Sequence, residues 1–146
     1  MALEGEFELS PSGWVRDQTE KILANGTTDG VTINGRPVVL LTIRGAKSGK
    51  LYKVPLMRVE HEGRYAAVAS KGGAPEHPVW YRNITANPDV DLQDGAEVKD
   101  YRARQVEGEE RAQWWERAVA AYPDYADYQT RTDRQIPVLV LDPIES

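Results

Sequence analysis

The apolar and polar positions of this chain indicate a set of short strands joined mainly by tight turns. Residues 37–44 (PVVLLTIR) are almost continuously apolar and follow Asn34-Gly35, a strong hairpin signal after the short apolar stretch 31–33. The run predicts a strand buried on both faces. Further strands are predicted at residues 51–60, 64–70, 89–93, 96–106 and 137–143, with turns at Glu62-Gly63 and Asp94-Gly95.

Three segments have the signals of helices. A helix is predicted over 13–24, after SPS and before Asn25-Gly26, and a short one within 78–87, ahead of Pro88. Residues 107–122 predict a third helix, with acids in its first turn and an apolar face of Trp115, Val119 and Tyr122, flanked by Trp114 and Ala118. YPDYADY, at 122–128, is expected to be a broken turn.

These elements predict an α+β protein that is mainly antiparallel. Six or so strands joined mainly by hairpins, with three helices inserted or flanking, favour an antiparallel barrel over a doubly wound sheet. The 146 residues suit a single domain, and no repeat or linker is legible. We expect one domain over 1–146, with 1–12 as an N-terminal extension.

Composition excludes several kinds of chemistry. There is no Cys, which removes thiolate nucleophiles and cysteine metal sites, and His61 and His77 are the only histidines. His61 is interpreted as a surface residue and His77 as a solvated loop residue. No Ser-His-Asp set can be recognised.

Charge is unevenly distributed along the chain. Residues 36–53 contain five Lys and Arg and no acid, whereas the rest has 13 against 23 Asp and Glu. This single local patch suits a compact polyanion better than nucleic acid. A solvated hairpin tip is the alternative. The acidic start MALEGEFEL and the lack of a long apolar run favour a cytoplasmic protein without membrane insertion.

GAKSGK, at 45–50, is not a nucleotide phosphate loop, because three residues rather than four separate its glycines and Leu51 follows Lys50. Gly45 and Gly49 permit backbone amides to converge on an anion, and Ser48 offers a hydroxyl. A second cluster, 69–83 (ASKGGAPEHPVWYRN), combines glycines with aromatic residues, although core packing of its Trp is an alternative. Tyr122, Tyr125 and Tyr128 recur every three residues and suggest an aromatic pocket with polar groups.

Together these motifs resemble the deazaflavin (coenzyme F-420)-dependent nitroreductase family, the actinobacterial F-420H2-dependent reductases of class A. The matching segments are RGAKSGK at 44–50, KVPL at 53–56, VASKGG at 68–73, PVWYRN at 78–83 and YPDYADYQxxTDR at 122–134. They stand in register from about Val38 to Pro143. The resemblance implies a split β-barrel related to flavin-binding oxidases, and the 8-hydroxy-5-deazaflavin coenzyme F-420, whose phosphodiester and glutamate tail form a compact polyanion.

The resemblance also implies site residues. Those expected to hold the phosphate and tail are Ala46, Lys47, Ser48, Tyr52 and Lys53. Those expected along the cofactor and around its ring are Val54, Pro55, Leu56, Met57, Val68, Ala69, Ser70, Lys71, Val79, Trp80, Tyr81, Arg82, Asn83 and Tyr125. Residues expected to act on the substrate are Ser70, Tyr122, Tyr125 and Tyr128. No metal is implied.

The implied activity is hydride transfer from the reduced deazaflavin to an electron-poor small molecule: a quinone, enone, coumarin-like lactone or nitro compound. A non-catalytic protein that binds F-420, a fatty acid or another amphipathic anion is an alternative, as is a barrel that binds FMN. Both a monomer and a homodimer fit the resemblance. The physiological acceptor does not follow from it.

Overall fold

The computed structural model describes residues 7–8, 13–33, 36–47, 49–70, 78–133 and 135–144. The strands are β1 (Phe7–Glu8), β2 (Thr32–Ile33), β3 (Arg36–Arg44), β4 (Leu51–Met57), β5 (Glu60–His61), β6 (Arg64–Val68), β7 (Asp89–Asp94), β8 (Glu97–Gln105) and β9 (Val138–Pro143). The helices are α1 (Gly13–Asn25), α2 (Val79–Ala86), α3 (Gly108–Ala121) and α4 (Asp124–Thr130). Most of the expected 1–12 extension and the turn at 34–35 lie outside the described residues.

The strands form a sheet that closes on itself. Its order is β1-β4-β3-β7-β8-β9-β6-β5, with β2 paired to β3. Every pairing is antiparallel except that of the short β1 with β4. Although β4 and β5 lie near opposite ends of this order, only residues 58–59 separate them in sequence. Two ends joined by so short a connection must be adjacent in space, so the sheet is a barrel.

The closure of the barrel explains why the strand predicted over 51–60 is interrupted. Arg58 still donates its backbone N–H to the Pro37 carbonyl in β3, whereas the Val59 carbonyl accepts from Ala66 in β6. The chain therefore changes partner strand between two consecutive residues. The predicted turn at Glu62-Gly63 is present, and both residues have positive φ, 53° and 82°.

Apolar side chains fill the barrel and cover two parts of its outer surface. Alternate residues of β3, including Val39, Leu41 and Ile43, belong to the interior core, with Ile84 of α2 in the same cluster. The other face of β3 packs its Val38 and Leu40 with Ile22 of α1. A third cluster joins α3 and α4 to the outer faces of β6 and β9. The strand predicted to be buried on both faces is thus buried on both.

Two helical details differ from expectation. Trp114, Ala118 and Tyr122 are the buried positions of α3 and its C-cap, whereas Trp115 is only half-buried, so the helix is rotated by about one residue from the predicted face. The segment expected as a broken turn contains α4. Pro123, with φ −57°, is already in the helical region, and acidic residues occupy the first turn of α4, where the helix dipole favours them.

A polar cluster surrounds Asp94, where β7 ends at the β7–β8 turn. The Asp94 carboxylate accepts a bifurcated hydrogen bond from Arg58 Nε, with its two oxygens at 2.9 and 3.0 Å, and one from the Tyr65 hydroxyl at 2.6 Å. Burial and the adjacent carboxylate raise the pKa of Tyr65. No helix among the described residues has the length and apolar character required to cross a membrane.

Candidate functional site

The cationic loop between β3 and β4 has a defined backbone. The Gly45 N–H donates to the Lys50 carbonyl at 2.7 Å, and the Gly49 N–H donates to the Gly45 carbonyl at 3.3 Å. Arg44 crosses the loop and donates from Nη1 to the Gly49 carbonyl at 2.6 Å. Gly49 has a φ of 72°, a left-handed conformation that glycine adopts without strain. The loop is therefore closed by its own hydrogen bonds.

Two carboxamides at the end of α2 attach this loop to the barrel. Asn83 Oδ1 accepts a hydrogen bond from the Ala46 N–H at 3.0 Å. Asn87 Nδ2 lies 3.2 Å from the Arg44 carbonyl oxygen and 3.4 Å from that of Gly45. Asn83 was expected to border the deazaflavin ring. Its side-chain oxygen Oδ1 is instead hydrogen-bonded to the loop. Sequence reasoning missed Asn87, which it treated only as the end of the helix.

The internal bonds limit how this loop can bind an anion. The amides of Gly45, Ala46 and Gly49 are all donors to protein oxygens. These three amides are therefore unavailable to an anion, which leaves the charged side chains of the loop as a source of attraction. Lys47 is exposed, and the described residues place no acid within ion-pair distance of it. Ser48, a further expected phosphate ligand, lies outside the described residues.

The strand that follows, β4, divides the expected cofactor residues between its two faces. Val54 and Leu56 pack against the barrel core, whose interior is filled by side chains. Met57 belongs to the cluster on the outer surface. Pro55 is buried opposite Leu40, and Tyr52 pairs with Ile43. Strand alternation therefore prevents the whole run 52–57 from lining one surface.

Lys53 lies in a buried polar cluster on the outer face of the sheet. Its Nζ donates to Thr42 Oγ1 at 3.0 Å, and burial lowers its pKa despite the nearby Asp91. Asp91 is only 3% exposed, and its Oδ1 has no hydrogen-bond partner among the described residues. Burial and a hydrogen bond with Asp100 raise the pKa of Asp91 to about 7. This cluster, which the sequence did not reveal, holds Lys53 away from Val54 and Leu56.

The end of β6 contributes a buried edge. Val68 packs in the outer cluster, Ser70 is buried, and the Ala69 N–H donates to the Pro137 carbonyl at 3.0 Å. Ala69 was expected beside the cofactor ring, and its amide is thus already engaged in the protein. Lys71 and His77 lie outside the described residues.

Helix α2 presents its aromatic residues to the barrel. Trp80 and Tyr81 pack against the interior core, and the Tyr81 hydroxyl donates to Gln105 Oε1 at 2.5 Å. Arg82 is exposed. The side chain of Val79 is outside what the structure describes. Core packing, the alternative to ligand binding for Trp80, therefore accounts for at least part of its buried surface.

The three tyrosines predicted to form a pocket do contact one another. The rings of Tyr122 and Tyr125 meet edge to face with centroids 5.0 Å apart, and Tyr128 lies 6.0 and 6.2 Å from them. The Tyr122 and Tyr128 hydroxyl oxygens are 3.0 Å apart. Tyr125, 5% exposed, packs in the same outer cluster as Met57 and Val68, and burial raises its pKa. The hydroxyl of Tyr125 therefore keeps its proton at neutral pH.

Two arginines flank the tyrosine cluster, and sequence reasoning identified neither. Arg131 lies over the Tyr128 ring at 5.5 Å. Arg111 lies over Trp115 at 5.1 Å and donates from Nη2 to the Ile136 carbonyl at 2.7 Å, while the Trp115 and Tyr125 centroids are 6.3 Å apart. Residues four apart on a helix are neighbours, so the spacing of Arg111 and Trp115 on α3 could have indicated their contact. The cluster is thus aromatic, with cations at its rim.

These groups suit a ligand that is planar at one end and polyanionic at the other. The loop offers an exposed ammonium group on a fixed backbone, and the tyrosine cluster offers aromatic edges and a protonated phenol. Within the described part of the chain, no group of three or more His, Cys, Asp or Glu could hold a metal ion. The residues therefore fit a deazaflavin cofactor with an anionic tail.

Comparison with known proteins agrees with this chemistry. A family model described as F-420H(2)-dependent quinone reductase matches residues 14–143. A Mycobacterium tuberculosis protein, named as a candidate F-420H(2)-dependent quinone reductase, is 41% identical over 107 residues, which cover 73% of this chain and 90% of that protein.

Two solved structures are more similar in sequence. An F420-H2 dependent reductase (FDR-A) is 60% identical, with a TM-score of 0.70, covering 77% of this chain and all of that one. A structure described as a domain-swapped dimer is 62% identical, with a TM-score of 0.73, covering 91% of this chain and all of its own.

A more distant likeness concerns the fold alone. HutZ, the heme storage protein of Vibrio cholerae, is 16% identical, with a TM-score of 0.53, covering 77% of this chain and 85% of that one. The split-barrel architecture expected from the sequence is thereby confirmed. The family match over most of the chain also confirms the expected cofactor and enzyme class. The chain belongs to the F-420H(2)-dependent quinone reductase family and is an F-420-dependent reductase.

Proposed function

We propose that this protein transfers a hydride from reduced F-420 to a quinone that binds beside the tyrosine cluster. When bound, the reduced cofactor supplies that hydride from its deazaflavin ring. The observation that carries the proposal is the packing of Tyr122, Tyr125 and Tyr128 against Met57 and Val68 on the outer surface of the barrel. Enones, coumarin-like lactones and nitro compounds have the same electron-poor character and are further candidate acceptors.

The β3–β4 loop is the proposed site for the phosphate and glutamate tail. Its support is the exposure of Lys47 and Lys50 on a backbone closed by hydrogen bonds, in a segment without acids. Ser48 is proposed to contribute there as well. Lys53 acts more remotely, because its ammonium group is committed to Thr42 beside Asp91.

The ring site is proposed to use the outer face of β4 and the end of β6. Pro55 and Met57 from β4, and Val68, Ser70 and Lys71 around the end of β6, are the candidate contacts. Val54, Leu56, Trp80 and Tyr81 support this surface from the interior core. Ala69, Val79 and Arg82 belong to the same candidate region.

Tyr125 is the proposed hydrogen-bond donor to the acceptor oxygen. Burial raises its pKa, so the phenol remains protonated and able to stabilise negative charge that develops on a carbonyl oxygen. Tyr122 and Tyr128 share a hydrogen bond, and both of their rings pack edge to face against the Tyr125 ring. Ser70 is a second candidate donor.

We also propose that two chains associate. The support is the 62% identical structure described as a domain-swapped dimer. Light scattering during size-exclusion chromatography checks this: a dimer mass supports association, and a monomer mass across the accessible concentration range contradicts it.

The experiment that tests the function is an anaerobic titration with reduced F-420, followed by menadione. Tight binding and acceptor-dependent return of the oxidised cofactor's absorbance are expected. Reduced cofactor that binds but is not reoxidised by any of a panel of quinones, enones and nitro compounds supports the non-catalytic binder. Retention of FMN in preference to F-420 contradicts the proposed cofactor site.

A further inference from the structure

We propose that Asn87 is a positioning residue for the cofactor tail, which it does not itself touch. Its carboxamide holds the start of the β3–β4 loop against α2, so that the loop presents Lys47 and Lys50 in one conformation. The inference rests on the proposed function in that it takes this loop as the tail site.

The contacts support a clamp made by two side chains on one helix end. Asn87 Nδ2 can donate to the Arg44 and Gly45 carbonyls, at 3.2 and 3.4 Å, and Asn83 Oδ1 accepts from the Ala46 N–H at 3.0 Å. The two carboxamides thus bond to backbone groups of three consecutive residues: the Arg44 and Gly45 carbonyls, which accept, and the Ala46 N–H, which donates. The Asn87 N–H donates to the Asn83 carbonyl at 2.8 Å, which keeps both side chains on the last turn.

The clamp differs from the other bonds of the loop. The bonds from Gly45 to Lys50, Gly49 to Gly45 and Arg44 to Gly49 all connect residues within 44–50. They fix the shape of the loop at the end of the β3–β4 hairpin but make no contact with α2. The Asn83 and Asn87 bonds span 37 to 43 residues in sequence, and so tie the loop to a helix packed on the barrel core.

An oriented loop binds a polyanion better because less conformational entropy is lost on binding. Lysine side chains are long and lose much rotamer freedom when they bind. If the backbone that carries them also had to be ordered, each contact would contribute less. Asn87 therefore acts through the lysines, and its removal must reduce what Lys47 contributes.

That dependence defines the test, a double-mutant cycle on the full chain with the dissociation constant of F-420 as readout. Asn87→Ala and Lys47→Ala are each expected to raise that constant about three- to tenfold. In the Asn87→Ala background, Lys47→Ala is expected to add less than about a twofold change, because coupled residues are not additive. Thr85→Ala, an exposed change on the same helix, is the matched control.

Two results overturn the inference while leaving the proposed function intact: full additivity of the two substitutions, or an unchanged constant in Asn87→Ala when Lys47→Ala alone weakens binding. An unchanged constant in Lys47→Ala alone instead contradicts the proposed tail site. Asn87→Asp provides a second variant of the same size if the alanine variant does not fold. It removes the donor and places a carboxylate against two carbonyls, so at least the same loss is expected.

Discussion

The hydroxyl oxygens of Tyr122 and Tyr128 lie 3.0 Å apart, and the ring of Tyr125 packs edge to face against both of their rings. One of these two phenols therefore donates a hydrogen bond to the other. Among the described residues, no hydrogen bond engages the hydroxyl of Tyr125. Tyr125 is consequently the phenol of the set that we propose as the donor to a ligand.

Tyr125→Phe is expected to lower kcat by about tenfold or more while the dissociation constant of F-420 changes little, because a hydrogen-bond donor to the acceptor oxygen is removed. Steady-state kinetics with menadione, combined with direct cofactor titration, separates the two effects. Tyr101→Phe, which removes a phenol from the barrel interior, is the control. An unchanged kcat in Tyr125→Phe argues that the residue only packs.

The affinity for F-420 is expected to fall as salt concentration rises, because the exposed loop lysines attract a polyanion through screened charge interactions. Lys47→Ala should reduce the steepness of this salt dependence. Lys21→Ala, which removes an exposed lysine on α1, should leave it unchanged. Dissociation constants measured over a series of salt concentrations decide the matter, and equal slopes in all three proteins would remove Lys47 from the site.

Leu56→Ala is expected to destabilise the protein by about 1–2 kcal/mol without changing cofactor affinity, because Leu56 packs against the barrel core and is not fully buried. Met57→Ala, one residue later on the outer face, should weaken cofactor or acceptor binding. Urea unfolding and cofactor titration of both variants provide the comparison. A larger binding defect in Leu56→Ala contradicts the assignment of faces.

The stability of the protein is expected to depend on Asp91 between about pH 4 and 7. The pKa of Asp91 is raised in the folded state, so within this window the folded protein binds a proton that the unfolded chain has released. The contribution of Asp91 to the free energy of unfolding must therefore fall as pH rises through this window. Asp91→Asn removes the titrating carboxyl group. The variant should be more stable than the native protein at pH 8, by about 1–3 kcal/mol, with a smaller difference at pH 5. Urea unfolding at both pH values measures it; equal differences at the two pH values contradict the prediction.

Asp94→Ala is expected to lower the free energy of unfolding by about 2 kcal/mol, because it removes the acceptor of Arg58 and of the Tyr65 hydroxyl. Tyr65→Phe should cost about 1 kcal/mol, since it removes one of those bonds. Cofactor affinity should be unaffected in both. Urea unfolding tests the order, and a larger loss in Tyr65→Phe would contradict it.

Elements set by local signals were predicted well. The boundaries of α1, β3, β9 and α2 agree with expectation within about two residues, because turn residues and apolar periodicity determine them. The helix α4 was missed because Pro123 and Asp124, at the start of PDYAD, also fit a turn. The buried face of α3 was predicted about one residue away from its true position, since both Trp114 and Trp115 are apolar and only packing on β6 and β9 distinguishes them.

The candidate site was predictable as a set of segments rather than as a set of contacts. The loop 45–50 and the tyrosines were identified from charge and spacing, and the tyrosines do meet. The commitment of Asn83 to Ala46 and the placement of Lys53 beside Asp91 depend on residues 37 and 38 positions away. No local pattern contains that information.

The position of β9 between β6 and β8 has a consequence for synthesis on the ribosome. A nascent chain that has emerged only as far as α4 carries both neighbours of this strand but not the strand itself. Its β6 and β8 edges then expose unpaired backbone groups, which are sites for aggregation. Only the arrival of residues 138–143 closes the barrel. Ribosome-bound chains arrested just before that point should therefore be protease-sensitive and should require chaperone protection.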